Sequence, residues 1–340
     1  RGEKWVLPAR IREYRPAWLD EAFLTGEAMW GRLAPPLSSA EGEAPARGRM
    51  SRAMRIALFP REYLAQLLAF RGEEPNEPTG EIAARLLELL DRRGALFWRE
   101  MLPSAGGSPR ELLHGLRELA RLGRATCDSF APLRKRTPPE RPRRRRRSGL
   151  GEAVRSASQG RWCRFPGEYT ACERSEALAW WAEQLLGRYG VLFRDLLVRE
   201  TAAPAWRELA PLLRRWEMRG TVRGGRFVAG VAGEQYALPE AVDALRRVRN
   251  IPTAEEPWVV LGGADPLNLF GIITEGERIP ARSANSLILW QGRCIAVRIG
   301  KQTRFLEEVA VETRSEMLRA LHGWRRPVGE TLAIRQRTLF

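Results

Sequence analysis

The chain repeats part of its own sequence, and this duplication limits the folds that it can adopt. RRGALFWREML at residues 92–102 resembles RYGVLFRDLLV at residues 188–198. RELLHGLRELARLG at residues 110–123 resembles RELAPLLRRWEMRG at residues 207–220, and the offset changes only from 96 to 97 residues. A repeated supersecondary unit is the economical explanation. We therefore predict two copies of one small domain.

Each copy has the pattern of three helices followed by a β-hairpin. Apolar residues recur at the spacing of one helix face from Gly80 onward. In the second copy, TVRGGRFVAG places Gly224-Gly225 between alternating strand residues, and two glycines supply the positive φ angles of a two-residue turn. Three helices and a hairpin form a winged helix, a helix-turn-helix variant whose third helix can enter the DNA major groove.

The remaining segments complete a predicted α+β fold. Residues 1–78 read as a small α+β lead-in, because WLDEAF predicts a helix and MRIALFP a strand. After Asn250 the chain becomes β-branched and apolar, with a hairpin turn at Gln291-Gly292 and a final helix near residues 313–323. The predicted domains are the lead-in, a first winged helix at 79–133, an Arg/Pro-rich linker at 134–160, a second winged helix at 161–250 and a β-rich module at 251–340.

Positive charge is concentrated in one short tract. The chain carries a formal charge of +16, and residues 134–147, RKRTPPERPRRRRR, contribute half of it, with nine basic residues and one acidic residue. Such a polar, proline-broken tract is predicted to be exposed and flexible. It either follows nucleic acid without sequence preference or only links domains.

Several classes of protein are not expected. No apolar run approaches the roughly 18 residues of a membrane span. The pair Gly300-Lys301 is followed by Gln302 and lacks the first glycine of a P-loop. Four cysteines without a C-x-x-C pair and two histidines favour a reducing cytoplasm, and they predict neither a metal site nor a bound cofactor. RGEKWVLPAR at the start lacks Met and a signal-type run, which suggests an excised segment.

Arginines mark a candidate DNA-binding edge on the second copy. Leu209, Leu212, Leu213 and Trp216 are predicted to form the buried face of its third helix, and Pro211 to kink or restart it. The predicted DNA-binding residues on this helix and its wing are Arg207, Arg214, Arg215, Arg219, Arg223 and Arg226. The first copy offers Arg117, Arg121 and Arg124. These arginines either contact phosphates or form a solvated face, because winged helices also serve as protein-binding or spacer modules.

Two neighbouring strings offer further polar and aromatic candidates. In RWCRFPGEY, Arg161 and Trp162 are predicted DNA contacts, since aromatics among arginines can stack on unpaired bases. The alternative is that Trp162 and Phe165 pin a linker to the core. In GEQYALPEA, Glu234 and Gln235 either fill a loop or line a base pocket.

The string GGADPLNLFG at residues 262–271 predicts a tight, shaped loop at a strand end. Asp265 is a candidate catalytic residue there, as a general base or as a carboxylate that stabilises a developing cation, and Asn268 is a candidate helper. Base-excision chemistry needs such a carboxylate beside a pocket for an extruded base. The alternative is that Asp265, followed by a proline, caps a turn with its own side chain.

GGRFVAGVAGEQYALPEAV followed by GADPLNLFG resembles the C-terminal half of the long bacterial large helicase-related (Lhr) proteins. RPAWLDEAFLTGEAMWGRL, GALFWREML and QGRW extend the resemblance over most of residues 1–300. It implies an N-terminal ATP-driven 3′-to-5′ helicase core as partner, a region similar to tandem winged-helix DNA glycosylases linked to uracil removal, and tetramers. The family's proposed catalytic carboxylate lies near its C-terminus. No Asp follows Asp265 here, so no catalytic residue is carried over.

Together these observations predict a DNA-binding region of a DNA repair helicase, located in the cytoplasm on the nucleoid and forming a homo-oligomer. It acts either as a DNA glycosylase that removes uracil or as a non-catalytic platform that grips DNA and oligomerises for the motor. A protein-interaction scaffold is a third alternative.

Overall fold

The computed structural model describes residues 3, 6–8, 10–33, 56–71, 77–134, 149–167, 169–200, 202–249, 258–274, 276–282 and 284–323. The predicted α+β class is confirmed. The helices are α1 (Pro16–Leu24), α2 (Leu64–Leu68), α3 (Glu81–Arg93), α4 (Trp98–Ala105), α5 (Pro109–Leu122), α6 (Gly149–Ala157), α7 (Arg174–Tyr189), α8 (Trp206–Met218), α9 (Pro239–Arg249) and α10 (Val311–Gly323). The strands are β1 (Ala28–Gly31), β2 (Ala57–Pro60), β3 (Leu96–Phe97), β4 (Ala125–Cys127), β5 (Arg161–Arg164), β6 (Val191–Leu192), β7 (Arg223–Gly225), β8 (Gln235–Ala237), β9 (Val259–Gly262), β10 (Ser286–Trp290), β11 (Arg293–Ile299) and β12 (Gln302–Phe305).

The two repeated segments fold into units of the same topology. The strand order is β3-β5-β4 in the first unit and β6-β8-β7 in the second, and both sheets are antiparallel. The third helices also start alike. Glu111 accepts a hydrogen bond from the Ser108 amide at 2.8 Å, and Glu208 accepts one from the Ala205 amide at 3.3 Å. The duplicated sequence thus specifies a duplicated fold.

The strand at residues 161–164 belongs to the first unit, which corrects its assignment to the second. Thr126 in β4 pairs with Cys163 in β5, and Leu96 in β3 pairs with Trp162. In sequence, the Arg-rich tract therefore lies between β4 and β5 of the first unit, not between two domains. Residues 135–147 of the tract are outside the described residues, so its predicted flexibility stays a prediction.

The turn predicted at Gly224-Gly225 is wrong. Both glycines lie inside β7, paired with Tyr236 and Gln235, and residues 226–234 form the wing loop. These glycines permit close packing: a Cβ at Gly224 would lie 2.7 Å from the carboxyl carbon of Glu217, and one at Gly225 would lie 2.9 Å from the Phe227 ring. The exposed Glu217 side chain can move aside, so only the Phe227 ring, which is half-buried, restricts the residue in β7.

The lead-in contributes to two hydrophobic cores. The hairpin of β1 and β2 turns Trp30 toward the core of the first unit and Met29 toward the core of the second. A T-shaped contact joins Trp30 to Trp162, with ring centroids 6.0 Å apart. Helix α2 packs on α7, where the indole of Trp181 donates to the Gln66 carbonyl at 3.0 Å. The lead-in is thus built into both winged helices.

The C-terminal module is an antiparallel sheet of order β12-β11-β10-β9 with apolar side chains on both faces. Leu287 packs on one face, while Ile288 packs on the other with Met317 and Leu321 of α10. The predicted hairpin turn at Gln291-Gly292 is confirmed, because both residues have positive φ, 52° and 75°. In the described residues, no helix is long and apolar enough to cross a membrane.

Candidate nucleic-acid interface

Helix α8 turns its leucines inward and its arginines outward, as its periodicity predicts. Leu209, Leu212 and Leu213 are buried, and Trp216 is half-buried against the same core. Pro211 lies on the exposed side and α8 runs through it, so the predicted restart is wrong. The helix presents one continuous outer surface.

The edge formed by α8 and its wing carries arginines without ion-pair partners. All of them are exposed, and none forms a close ion pair among the described residues, although Arg207 lies near the carboxylate of Glu208. They are Arg207, Arg215, Arg219, Arg223 and Arg226; we call them the free arginines. Their charge is available to an anionic ligand.

Arg214 has a different role from the free arginines. Its Nε and Nη2 donate to the two carboxylate oxygens of Glu234 at 2.7 and 2.9 Å, which ties α8 to the wing loop. This hydrogen bond lowers the pKa of the Glu234 carboxyl below its usual value. Arg214 thus holds the wing loop against α8, and the prediction that it also contacts DNA stays a prediction.

Gln235 fixes the wing loop from inside. Its side chain accepts from the amides of Phe227 and Val228, both at 2.8 Å, and donates to the carbonyls of Val228 and Val231 at 3.0 and 3.3 Å. Gln235 is 1% exposed, so it does not line an open base pocket. The amide side chain replaces strand pairing inside the loop.

Trp162 is not available to stack on bases, which corrects its assignment, whereas Arg161 is exposed and its proposed DNA contact stays a prediction. Trp162 is 1% exposed and its indole donates to the Ala157 carbonyl at 2.9 Å. Arg161 is bound through Nε to Asp128 at 2.8 Å. Trp162 and Phe165 instead fill the cores beneath the lead-in, which is the alternative reading of this string.

The third helix of the first unit is largely covered. Helix α6 packs against α5, and the Arg71 guanidinium donates to the Gly123 carbonyl at 3.3 Å at its C-terminal end. Arg124 is 6% exposed and paired with Glu77, and burial lowers the pKa of Arg117. Of the three candidates here, Arg121 alone is exposed. Among these three arginines of the described residues, only Arg121 is therefore placed to contact a ligand from α5.

Asp265 lies in a loop that joins three parts of the molecule. Its Oδ1 accepts from Arg10 Nη2 at 2.8 Å and from the Leu267 amide at 2.9 Å, while Oδ2 has a longer contact, 3.5 Å, with Arg10 Nη1. The contact with Leu267 is the turn-capping alternative of the sequence analysis. Asp265 is 8% exposed.

Asn268 and Arg199 complete this loop. The Asn268 side-chain nitrogen donates to the Gly263 carbonyl at 2.9 Å, and its Oδ1 is buried without a partner among the described residues. Arg199, which follows α7, donates to the main-chain carbonyls of Asn268 and, at 3.2 Å, of Asp265. Burial lowers the pKa of Arg199. Arg10, Arg199, Asp265 and Asn268 therefore connect the lead-in, the second unit and the C-terminal module.

Sequence analysis did not find Arg10, Arg199 or Met218. Arg10 and Arg199 are far from residue 265 along the chain, and no periodic pattern marks a contact of that separation. Met218 ends α8 at 81% exposure, and its spacing from Arg207 already placed it on the outer face.

Known protein families match two parts of this chain. A family model described as the winged-helix domain of the large helicase-related protein, the fourth of that protein, matches residues 171–257. A model of the third winged-helix domain, with the same description, matches residues 2–61. The lead-in, which the sequence analysis interpreted as a separate α+β segment, thus matches a winged-helix model over residues 2–61.

Two curated relatives match most of the chain. The "Lhr helicase/ probable uracil glycosylase" of Mycolicibacterium smegmatis is 29% identical over 323 residues, which are 86% of this chain and 20% of that protein. The "Lhr helicase/uracil glycosylase" of Escherichia coli is 27% identical over 322 residues, which are 85% of this chain and 20% of that protein. The chain thus spans about a fifth of the length of these relatives. Residues 2–61 and 171–257 are thus similar to winged-helix domains of the large helicase-related (Lhr) protein, and most of the chain is similar to one part of these longer proteins.

Proposed function

We propose that this chain binds DNA through α8 and the wing of its second unit, as the accessory region of an ATP-driven DNA repair helicase on the nucleoid. The free arginines carry the proposal, because five exposed guanidinium groups share one edge without a close ion pair among the described residues. A winged helix presents the same two elements to DNA. The helicase core named in the relatives would be its partner within a longer protein.

Salt dependence tests the proposal. Each phosphate contact releases counterions, so the slope of log K against log salt has a magnitude of about 0.9 per phosphate on duplex DNA. The triple variant Arg219→Ala, Arg223→Ala, Arg226→Ala should bind duplex DNA more weakly and should flatten that slope by up to about 3. Fluorescence anisotropy over a salt series measures both quantities.

The matched control removes the same charge elsewhere. Arg85, Arg92 and Arg93 are exposed on α3 in the first unit, and their change to alanine should leave the slope near that of the unaltered chain. Equal losses in both triple variants would mean that net charge alone attracts DNA and that α8 and its wing are not the site. A binding curve that is insensitive to salt would favour the protein-interaction scaffold.

We also propose uracil excision as a second function, supported by the printed names of both relatives and by the position of Asp265. In this reaction, water replaces uracil at C1′ of the deoxyribose, leaving free uracil and an abasic site. The less occupied Oδ2 of Asp265 would stabilise the cationic sugar or accept the proton of the water, and Asn268 Oδ1 would be the helper. The non-catalytic DNA-gripping platform is the competing function.

Cleavage of DNA separates these two functions. The chain is incubated with end-labelled single-stranded DNA carrying one uracil, then with alkali, and the products are resolved on a denaturing gel. Asp265→Asn should abolish cleavage, while Asp243→Asn, an exposed change on α9, should not. Cleavage that survives Asp265→Asn removes Asp265 from the mechanism. Salt-sensitive binding without cleavage by the unaltered chain supports the platform.

A further inference from the structure

Met218 is exposed to an unusual degree for its residue type. It is 81% exposed, whereas Met29, Met101 and Met317 are at most 7% exposed. Single exposed apolar residues are common on protein surfaces, so exposure alone assigns no role. The position and the surroundings of Met218 supply the argument.

Met218 lies on the face of α8 that points away from the core. It follows Arg207 by eleven residues and Arg214 by four, spacings that keep all three side chains on one helix face. It is the last residue of α8, at the point where the chain leaves the helix for the wing strand β7. Met218 is therefore close in sequence to both elements that the proposed DNA site uses.

The surroundings of Met218 are cationic. Arg215, Arg219 and Arg223 are exposed without an ion pair among the described residues. The acidic residues nearby are Glu234, which is bound to Arg214, and the exposed Glu217, whose carboxylate lies beside Gly224 of β7, so the positive charges outnumber the negative ones. The apolar side chain of Met218 lies among exposed guanidinium groups. This combination complements a polymer that has an anionic backbone and stacked, apolar bases. Nucleic acid has both properties, and this charge complementarity selects DNA as the occupant.

We propose that Met218 is an apolar wedge that inserts between neighbouring bases when α8 and its wing hold DNA. The inference rests on the proposed DNA binding and names the residue that distorts the bound duplex. Proteins that kink DNA insert Met, Leu, Ile, Phe or Pro side chains between base steps in this way. Because separating stacked bases costs free energy, the chain should prefer DNA whose stacking is already weakened by a mismatch or bulge.

A fluorescent base tests the insertion directly. The full chain is titrated into duplexes that carry 2-aminopurine at successive positions, since the fluorescence of this base rises when it unstacks. The unaltered chain should increase the signal at one or two neighbouring positions and should bind a mismatched duplex about tenfold more tightly than a matched one. Met218→Ala should remove the increase and most of this preference, and Met218→Leu should retain both.

The salt slope separates this inference from the function on which it rests. Met218→Ala removes no charge, so its slope should equal that of the unaltered chain. Val248→Ala serves as the control, because Val248 is 64% exposed on α9 and outside the α8 and wing edge. Salt-sensitive binding without any rise in fluorescence overturns the wedge and leaves DNA binding intact. An unchanged signal in Met218→Ala also overturns it, whereas absence of all DNA binding overturns both.

Discussion

At the scale of single residues, one contact shows how closely the lead-in and the wing strand of the first unit approach. A Cβ at Gly31 would lie 2.6 Å from Cζ and 2.9 Å from Cδ2 of Phe165, a residue that is 1% exposed. The ring cannot retreat, because Phe59 and the Arg71 guanidinium, 5.7 Å from its centroid, also contact it. Glycine is therefore required in β1 by close approach.

Gly31→Ala should destabilise the chain by about 1–3 kcal/mol, the usual cost of overpacking a filled core. Urea denaturation followed by tryptophan fluorescence measures the change. Gly187→Ala is the matched control, since Gly187 lies within α7 with open space around its Cα, and alanine there should stabilise by about 0.5–1 kcal/mol. Equal stability of the Gly31→Ala variant would show that the ring of Phe165 moves aside.

Residue patterns predicted which side chains of α8 point outward but not what they meet. Periodicity placed Arg214 and Arg219 on the surface alike, yet Arg214 is bound to Glu234 twenty residues later. Trp162 looked like a surface aromatic among arginines, yet it fills a core. Such partners depend on tertiary contacts that a local pattern does not contain.

At the scale of elements, the second wing keeps its shape through one buried side chain. Residues 226–234 form no strand pairs, and Gln235 supplies the hydrogen bonds that a ladder would provide. This amide therefore holds the main chain of the wing loop in its observed conformation.

Gln235→Leu should lower the free energy of unfolding by about 2–4 kcal/mol, because it leaves the Phe227 and Val228 amides without a hydrogen-bond acceptor. We also expect weaker DNA binding, since Arg226 loses its fixed position. Denaturation and anisotropy measure the two effects. Gln184→Leu, on the exposed side of α7, is the control and should alter neither. Unchanged DNA binding by the Gln235 variant would mean that the wing loop does not contact DNA.

Elements with local signals were predicted from the sequence, and those with distant partners were not. The helices of both copies and the turn at Gln291-Gly292 follow from periodicity and turn chemistry. Strand β5 was placed in the wrong unit, because its partner β4 ends at Cys127 and the whole Arg-rich tract intervenes. The pairing of two strands that are separated by such a long insertion produces no recognisable pattern in the sequence of either strand.

At the scale of the whole molecule, the loop at residues 262–271 holds the C-terminal module on the second unit. Arg199 supplies two hydrogen bonds to its main chain, and Arg10 adds the ion pair with Asp265. The candidate catalytic residues are thus also structural residues, so their variants need a measure of folding beside the measure of activity.

Arg199→Ala should loosen this loop, because the main-chain carbonyls of Asp265 and Asn268 lose their hydrogen-bond donor. We expect the free energy of local unfolding of the loop to fall by about 1–3 kcal/mol. Hydrogen exchange should speed up at the amides of residues 262–271 and stay slow in the middle of α7. Arg194→Ala changes an exposed arginine at the start of the short 3-10 helix Arg194–Arg199, which Arg199 ends, and should affect neither region. Protection that persists in the Arg199 variant would assign the attachment to Arg10 and the surrounding apolar contacts.

The hairpin of β1 and β2 also affects the order in which the chain can fold during synthesis. The hairpin has two apolar faces when it leaves the ribosome. The face with Trp30 becomes buried once the first unit is complete. The face with Met29 and Phe59, together with Leu67 of the following helix α2, becomes buried only when α7 and α8 have been made. Before α7 has been synthesised, the nascent chain therefore carries a complete first domain with one exposed apolar surface. This part of the protein must be shielded by chaperones, or translated without a long pause, before its second winged helix emerges.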